Sequence, residues 1–236
     1  MRPAIGVWLK EGAMRTDNDL QRDIVAELNW EPSIRNEDIA VGVKEGVVTL
    51  AGTVDTYSQR YTAERVVERI AGVRALVDEL TVKPGAATGP SDVDIAHAAV
   101  NAFKWDIQVP DDRVKVKVTR GVVTLEGEVP WYYQRAAAER AVRHLAGVRG
   151  ITNLIRVQET ATPSDVKQRI TDALLRQAET DAGRITVEVS GHTATLRGSV
   201  RSLAEKKDAE YAAWRARGVT RVDNRLSINP LATAVV

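Results

Sequence analysis

Apolar and polar residues alternate along Ile39, Val41 and Val43, and the same alternation returns at Val114, Val116 and Val118 and at Ile185, Val187 and Val189. A period of two predicts a β-strand with one buried face. A tight turn follows each segment, at Glu45-Gly46, Arg120-Gly121 and Gly191-His192, where glycine supplies positive φ. The returning hairpin strand reads Gly46-Val47-Val48-Thr49-Leu50-Ala51-Gly52-Thr53-Val54, then Gly121-Val122-Val123-Thr124-Leu125-Glu126-Gly127-Glu128-Val129. A more worn copy is His192-Thr193-Ala194-Thr195-Leu196-Arg197-Gly198-Ser199-Val200. Gly52, Gly127 and Gly198 mark a bulge or a close backbone approach, for which a helix crossing the sheet is one reading.

The offsets between copies, 75 and then 71 residues, align three ungapped units of 67 residues: 16–82, 91–157 and 162–228. Each unit opens with a hydroxyl residue and a carboxylate three positions on: Thr16 and Asp19, Ser91 and Asp94, Thr162 and Asp165. This is the pattern of a helix capping box. Stripes at helical spacing follow, in Leu20, Ile24 and Leu28, in Ile95, Ala99 and Phe103, and in Val166, Ile170 and Leu174. After the hairpin, Thr56 with Gln59 and Ser202 with Glu205 predict a second capped helix, running about four turns to Gly72, Gly147 and Gly218 as left-handed terminators. Arg60–Glu64, Arg135–Glu139 and Lys206–Glu210 are i,i+4 pairs on it. A third strand closes each unit at 73–82, 148–157 and 219–228. The order α-β-β-α-β predicts an α+β unit, a three-stranded mixed sheet with two helices on one face.

Residues 83–90 and 158–161 are the linkers, residues 229–236 a C-terminal tail, and residues 1–15 an N-terminal tail. Met14, just ahead of the first unit, is a candidate natural start. The apolar run from Ala4 to Leu9 is too short for a secretory core and lacks a cleavage site. No run of about 18 apolar residues occurs, and the absence of cysteine excludes disulfides and thiolate metal sites. Units this small bury modest cores, so packing between them is expected. The net charge of +1 is unevenly shared. The first unit has 13 acidic and 7 basic side chains, the second 8 and 10, the third 9 and 12.

The Gly-Val-Val-Thr-Leu-x-Gly-x-Val hairpin, the Ala-Glu-Arg helix and the closing strand together resemble the BON domain. In that strand the resemblance rests on Gly147-Val148 with Ile151, Asn153 and Ile155, and on Gly218-Val219 with Val222, Asn224 and Leu226. The first unit departs from it in carrying Asp78 in place of the asparagine. The resemblance covers all three units and implies three tandem domains without a catalytic site. It also implies binding to phospholipid or membrane surfaces and a role in envelope or osmotic stress. The chain reads as cytoplasmic as it stands, whereas the periplasm is typical of the family.

The residues themselves give no enzyme. His97, His144 and His192 have no second ligand at i+3 or i+4, and neither a phosphate loop nor a Gly-x-Ser-x-Gly elbow occurs. No cofactor or metal is expected. Gly147-Val148-Arg149-Gly150 spells the Gly-x-x-Gly of RNA-binding KH loops, but it joins a helix to a strand and the sister units lack it, so nucleic acid is not an expected partner. In the second unit Arg113, Lys115 and Lys117 line the outer strand face, as an anion-facing stripe or as a solvated face. Trp131 stands where the sister units have the cap residues Thr56 and Ser202, a broken rule pointing to function or to packing between units. Tyr133 is nearby, Tyr132 is read as core, and Lys104 and Trp105 end the first helix. These side chains form a candidate site for an anionic phospholipid surface. The alternative is a protein-interaction scaffold, in which the acidic first unit attracts the basic later ones, within a chain or between chains.

Overall fold

The computed structural model describes residues 16–35, 38–83, 89–158, 166–176 and 184–229. In the first unit α1 (Asp17–Trp30) leads to the hairpin β1 (Ile39–Lys44) and β2 (Val47–Val54), then α2 (Tyr57–Arg69) and β3 (Ala75–Val82). The second unit repeats this with α3 (Asp92–Trp105), β4 (Val114–Thr119), β5 (Val122–Val129) and α4 (Tyr132–Arg143). Its last strand is broken into β6 (Gly150–Asn153) and β7 (Arg156–Val157). The third has α5 (Val166–Arg176), β8 (Ile185–Ser190), β9 (Thr193–Val200), α6 (Leu203–Trp214) and β10 (Arg221–Ile228). In every sheet the returning hairpin strand is central, antiparallel to the strand before it and parallel to the one after. The parallel pairing follows from the helix that connects the two.

The stripes expected to be buried are buried, and each unit has its own core. Thr16 and Ser91 cap their helices in reciprocal boxes with Asp19 and Asp94. The box expected at Thr162 and Asp165 lies outside the described residues. The residue after each cap has a role the spacing did not reveal. The Asp17 carboxylate accepts the backbone N–H groups of Glu45 and Gly46 at 2.7 and 3.1 Å, and Asp92 does the same for Arg120 and Gly121 at 2.7 and 2.8 Å. One carboxylate thus clamps the hairpin turn, whose two central residues both have positive φ, to the helix N-terminus.

Four expectations change. The second helix stops at Arg69 and Arg143 in the first two units and at Trp214 in the third, short of the glycines. A further turn, closed by Val73 N–H to Ile70 C=O and its counterparts, carries the chain to them. Gly52 does not meet a crossing helix: a Cβ there would lie 1.9 Å from the Asp38 carbonyl oxygen at the head of β1. Of the three i,i+4 pairs, Arg60–Glu64 forms at 3.6 Å. Arg135 and Lys206 instead turn to backbone carbonyls of the third strand, at Asn153 and Leu226. Tyr132 is not core of its own unit but stacks on Trp214 of the third, ring centroids 4.8 Å apart and 12° from parallel.

Tyr132 belongs to a larger pattern. The second helices of the three units meet one another, each presenting its N-terminal part to the C-terminal part of the next. Tyr57 packs on the core of the second unit, Arg143 lies 3.5 Å over the Tyr61 ring, and Ser58 Oγ is 3.0 Å from His144 Nδ1. Tyr132 meets Trp214 and Tyr211. Leu203 packs on the core of the first unit, and Lys207 Nζ lies 2.5 Å from Glu68 Oε1. Tyr57, Tyr132 and Leu203 are equivalent positions, as are Glu68, Arg143 and Trp214. The three contacts are therefore one head-to-tail interface used three times, which closes into a pseudo-threefold ring.

Glu68 is buried, with a side chain 6% exposed, and its Oε2 has no hydrogen-bond partner. Lys207→Met should cost about 1–2 kcal/mol, less than a fully buried pair because Lys207 itself is half exposed. The double variant Glu68→Gln/Lys207→Met should recover most of the loss, read as urea midpoints. An unchanged midpoint for the single variant would mean that the pair does not hold the first and third units together.

Candidate functional site

The chain's broken capping rule at Trp131 resolves into a contact. Its backbone N–H donates to Gln134 Oε1 at 3.1 Å, so the half of the box that needs no hydroxyl is kept. The indole leaves its own unit and, half-buried, forms one wall of an open groove of about 610 Å³ between α5 and α6 of the third. There the Arg217 guanidinium sits 5.6 Å from the ring centroid. A second groove, of about 730 Å³, opens on the other side of Trp131. Tyr132, Tyr133, Tyr211 and Trp214 line it with Arg140 and Arg215. Arg140 Nη2 donates to Gln108 Oε1 at 2.6 Å.

Gln108 stands three residues beyond Trp105. Trp105 and Ile107 are bare to solvent, at 88% and 101% exposure, and Lys104 is exposed beside them. The loop after α3 thus reaches the aromatic groove through Gln108. Four of the candidate residues, Lys104, Trp105, Trp131 and Tyr133, fall on or next to this junction between the second and third units.

The other three do not. Arg113, Lys115 and Lys117 project from β4 on the face of the sheet opposite the helices, and all are exposed. The register sets Lys115 opposite Glu126, and Arg113, one residue before the paired stretch, falls beside Glu128. Opposed side chains across a sheet stand about 5 Å apart at Cβ, so two of the three cations face carboxylates. The stripe is largely self-compensated.

Around the aromatic groove the balance differs. Among the described residues no carboxylate pairs with Arg140, Arg215 or Arg217. Asp172, the acidic residue near them, accepts from Gln168 Nε2 at 2.8 Å. Arg140, Arg215 and Arg217 escaped the sequence reading because no motif marks them. Trp214 was findable, since Glu68, Arg143 and Trp214 differ at one aligned position, the criterion that singled out Trp131.

A second polar cluster sits under each second helix. Asn153 Nδ2 donates to the Arg135 carbonyl and to Glu139 Oε2, and Asn224 Nδ2 donates likewise to the Lys206 carbonyl and to Glu210 Oε2. Asp78 holds this place in the first unit and has no donor to offer Glu64. Burial, and then the hydrogen bond and charge of Asp78, push the Glu64 carboxyl up to about 8. The hydrogen bonds from Glu64, the Leu80 N–H and Arg60 hold Asp78 below the ordinary carboxylate range. The pair therefore shares a proton at neutral pH.

As for chemistry, the Ser58–His144 contact is the nearest thing to a nucleophile and base. Among the described residues no further hydrogen bond orients the His144 ring, and the contact lies in the ring interface. His192 Nδ1 is 2.9 Å from the Gly218 carbonyl oxygen, a link between turn and strand. Among the described residues no group of three or more His, Asp or Glu side chains is placed to hold a metal ion. No helix among them is long and apolar enough to cross a membrane.

Comparison with known proteins places these features. A family model described as the BON domain matches residues 16–84, 91–159 and 163–230. The chain is 31% identical over 148 residues to osmotically-inducible protein Y of Escherichia coli (strain K12), a match covering 61% of this chain and 74% of that protein. Among solved structures, it is similar to the C-terminal domain of CdsD, a structural protein of the type III secretion system of Chlamydia trachomatis. Identity there is 14%, with 90% of this chain and 98% of that chain covered, and the TM-score is 0.25. A second structure of CdsD aligns at 15% identity over 89% and 92% of the two chains, also at 0.25. A likeness of that size carries no structural conclusion.

Proposed function

We propose, from the premise that this chain belongs to the BON domain family in each of its three units, that it is a non-enzymatic binding protein which docks peripherally on anionic phospholipid surfaces. The resemblance to an osmotically inducible protein supports a setting in osmotic or envelope stress. One observation carries the choice of surface. Arg140 and Arg215 line an aromatic groove and Arg217 stands over its Trp131 wall, none of the three paired with a carboxylate among the described residues, and the loop that follows bare Trp105 and carries bare Ile107 reaches the groove through Gln108. Guanidinium groups attract the phosphates, and the indole and the isoleucine enter the headgroup region, where amphipathic aromatic rings are stable. Each basic residue near an anionic surface contributes roughly 1 kcal/mol, so the contact is weak and salt-sensitive without the apolar insertion. Trp131 acts in this reading as the strut that fixes the second unit to the third, and the β4 cations as secondary contributors.

Co-sedimentation with phosphatidylglycerol vesicles tests the proposal, with phosphatidylcholine vesicles as control. The intact chain should bind the anionic vesicles at low salt and release at 0.5 M salt, roughly the regime where exposed charges are screened within a few ångströms. Arg140→Glu/Arg215→Glu should weaken binding at least about tenfold, and Trp105→Ala should weaken it too. Lys115→Glu/Lys117→Glu should matter less. No binding of the intact chain to anionic vesicles would end the lipid reading. The scaffold reading would then stand, supported by the Lys207–Glu68 contact between the basic third unit and the acidic first.

A further inference from the structure

Two open grooves occupy the same place in the repeat. One lies between α1 and α2 and measures about 640 Å³, the other between α5 and α6 and measures about 610 Å³. Arg69 and Arg215 are equivalent and line one groove each. Most of the other lining positions have diverged in a consistent way. Glu27, Val66 and Ile70 of the first groove give way to Ala173, Ala212 and Ala216 in the third, whose floor therefore carries no atom beyond Cβ at these places. Asp23 gives way to Arg169, and Ala71 to Arg217. The first groove sets Asp23, Glu27 and Glu31 against Arg69. The third sets Arg169, Arg215 and Arg217 against Asp172, which accepts from Gln168 Nε2 at 2.8 Å. Trp131, standing where the sister units have Thr56 and Ser202, then adds an aromatic wall from the neighbouring unit. These departures empty a floor, reverse a charge and import a ring. They come from the start of α4, from α5 and from the end of α6 with the turn after it, and they meet in one cavity.

We propose that the groove between α5 and α6 is a binding site for a small soluble molecule that joins a flat aromatic ring to a single anionic group, a carboxylate or a phosphate monoester. Its volume suits one such molecule rather than a polymer. The rim supplies the charge preference. Guanidinium groups pair with carboxylate and phosphate oxygens through planar, charge-assisted hydrogen bonds, and Arg215 and Arg217 present two of them on either side of Ala216. The walls supply the shape preference. The methyl groups of Ala173, Ala212 and Ala216 form a shallow apolar floor, and the Trp131 indole stands beside it as an aromatic wall. A ring packs broadly on both, and it gains the stacking preference of one aromatic for another, which an alkyl chain lacks. Arg217, 5.6 Å from the indole centroid, joins the two parts of the site. The site lies on the other side of Trp131 from the groove assigned to membrane docking, and it binds its ligand without a membrane.

Isothermal titration of the intact chain with 2-naphthoate and with 2-naphthyl phosphate, in the absence of vesicles, tests the proposal. Saturable binding at a single site is expected for both. 2-Naphthylmethanol, which has the ring alone, and inorganic phosphate, which has the charge alone, should each bind at least about tenfold more weakly. Octanoate, which has the charge on an alkyl chain, should bind more weakly as well. On the protein, Arg217→Ala and Ala216→Ile each install the residue that the first unit carries at that place, Ala71 and Ile70. The first should weaken naphthoate binding at least about tenfold, and the second should abolish it by filling the floor. Unchanged thermal midpoints show that both variants remain folded. Arg140→Glu should leave naphthoate binding unchanged while weakening vesicle binding, so failure of this site and failure of the membrane reading are told apart. No saturable binding of either naphthyl anion by the intact chain overturns the proposal, as does binding indifferent to both Arg217→Ala and Ala216→Ile. Octanoate binding as tightly as naphthoate also overturns it, assigning the groove to an acyl chain.

Discussion

Replacing Gly52 by alanine is expected to abolish the cooperative melting of the first unit. Gly52 has φ +126°, a conformation L side chains rarely adopt, and its Cβ would stand 1.9 Å from the Asp38 carbonyl oxygen. That oxygen cannot retreat freely, because it accepts the Thr53 N–H at 3.2 Å at the end where β1 and β2 pair. Backbone strain and the clash together should cost at least about 3 kcal/mol. Much of the stability of a unit this small is of that order. Calorimetry should lose one transition, and limited proteolysis should cut first within residues 16–82. Gly42→Ala is the control. Its Cβ would lie 4.0 Å from Thr49 Cβ, so it should melt as the unaltered chain does. A Gly52→Ala chain with normal melting would contradict the close approach.

The second large effect is a change in how stability depends on pH. Glu64 has its folded pKa raised from 4.5 to about 8, so the folded chain holds a proton that the unfolded chain loses above pH 4.5. Stability from this group is complete below that value and is lost as pH rises through 8. Asp78, whose pKa is lowered, works in the opposite sense and only in acid, where stability falls as it protonates. Between pH 5 and 9 the glutamate decides, and the first unit should weaken steadily. Asp78→Asn restores the donor that Asn153 and Asn224 provide, so an ionised Glu64 gains the hydrogen bond its sisters have. The variant should show a flat profile and stand roughly 1–2 kcal/mol above the unaltered chain at pH 9, a figure discounted for the partial exposure of Glu64. Thermal midpoints at pH 6 and pH 9 decide the matter, and parallel slopes for the two chains would count against a shared proton.

Asp78 also illustrates what the sequence could tell. Its departure from asparagine was visible in the alignment of the three units, but its meaning was not, because the glutamate it meets lies 14 positions away on a different element. The strands, the turns and both helices of each unit were legible because period two, period 3.6 and the cap residues are local signals. The ring was not. Tyr57, Tyr132 and Leu203 look like core residues from their spacing, and only the arrangement of whole units turns them toward a neighbour. The candidate site divided for the same reason. Lys115 and Glu126 are 11 residues apart and face one another through the hairpin register, so a row that reads as cationic along one strand is nearly neutral across two. Arg140, Arg215 and Arg217 come from two units and meet at a junction that no single repeat contains.

The head-to-tail ring has three interfaces, while the chain supplies two tethers, residues 83–90 and 158–161. The contact between the third and first units, with Leu203 and the Lys207–Glu68 pair, is therefore a clasp rather than a hinge: its halves find each other only through space. Covalent connection through the chain keeps them at an effective concentration of about millimolar, so modest contacts suffice to close it. Well below that protein concentration each chain fastens onto itself. Near it, the third unit of one molecule meets the first unit of another on equal terms. Pairs of chains joined by two exchanged clasps are then the expected first oligomer, built without any surface that the single chain does not already use.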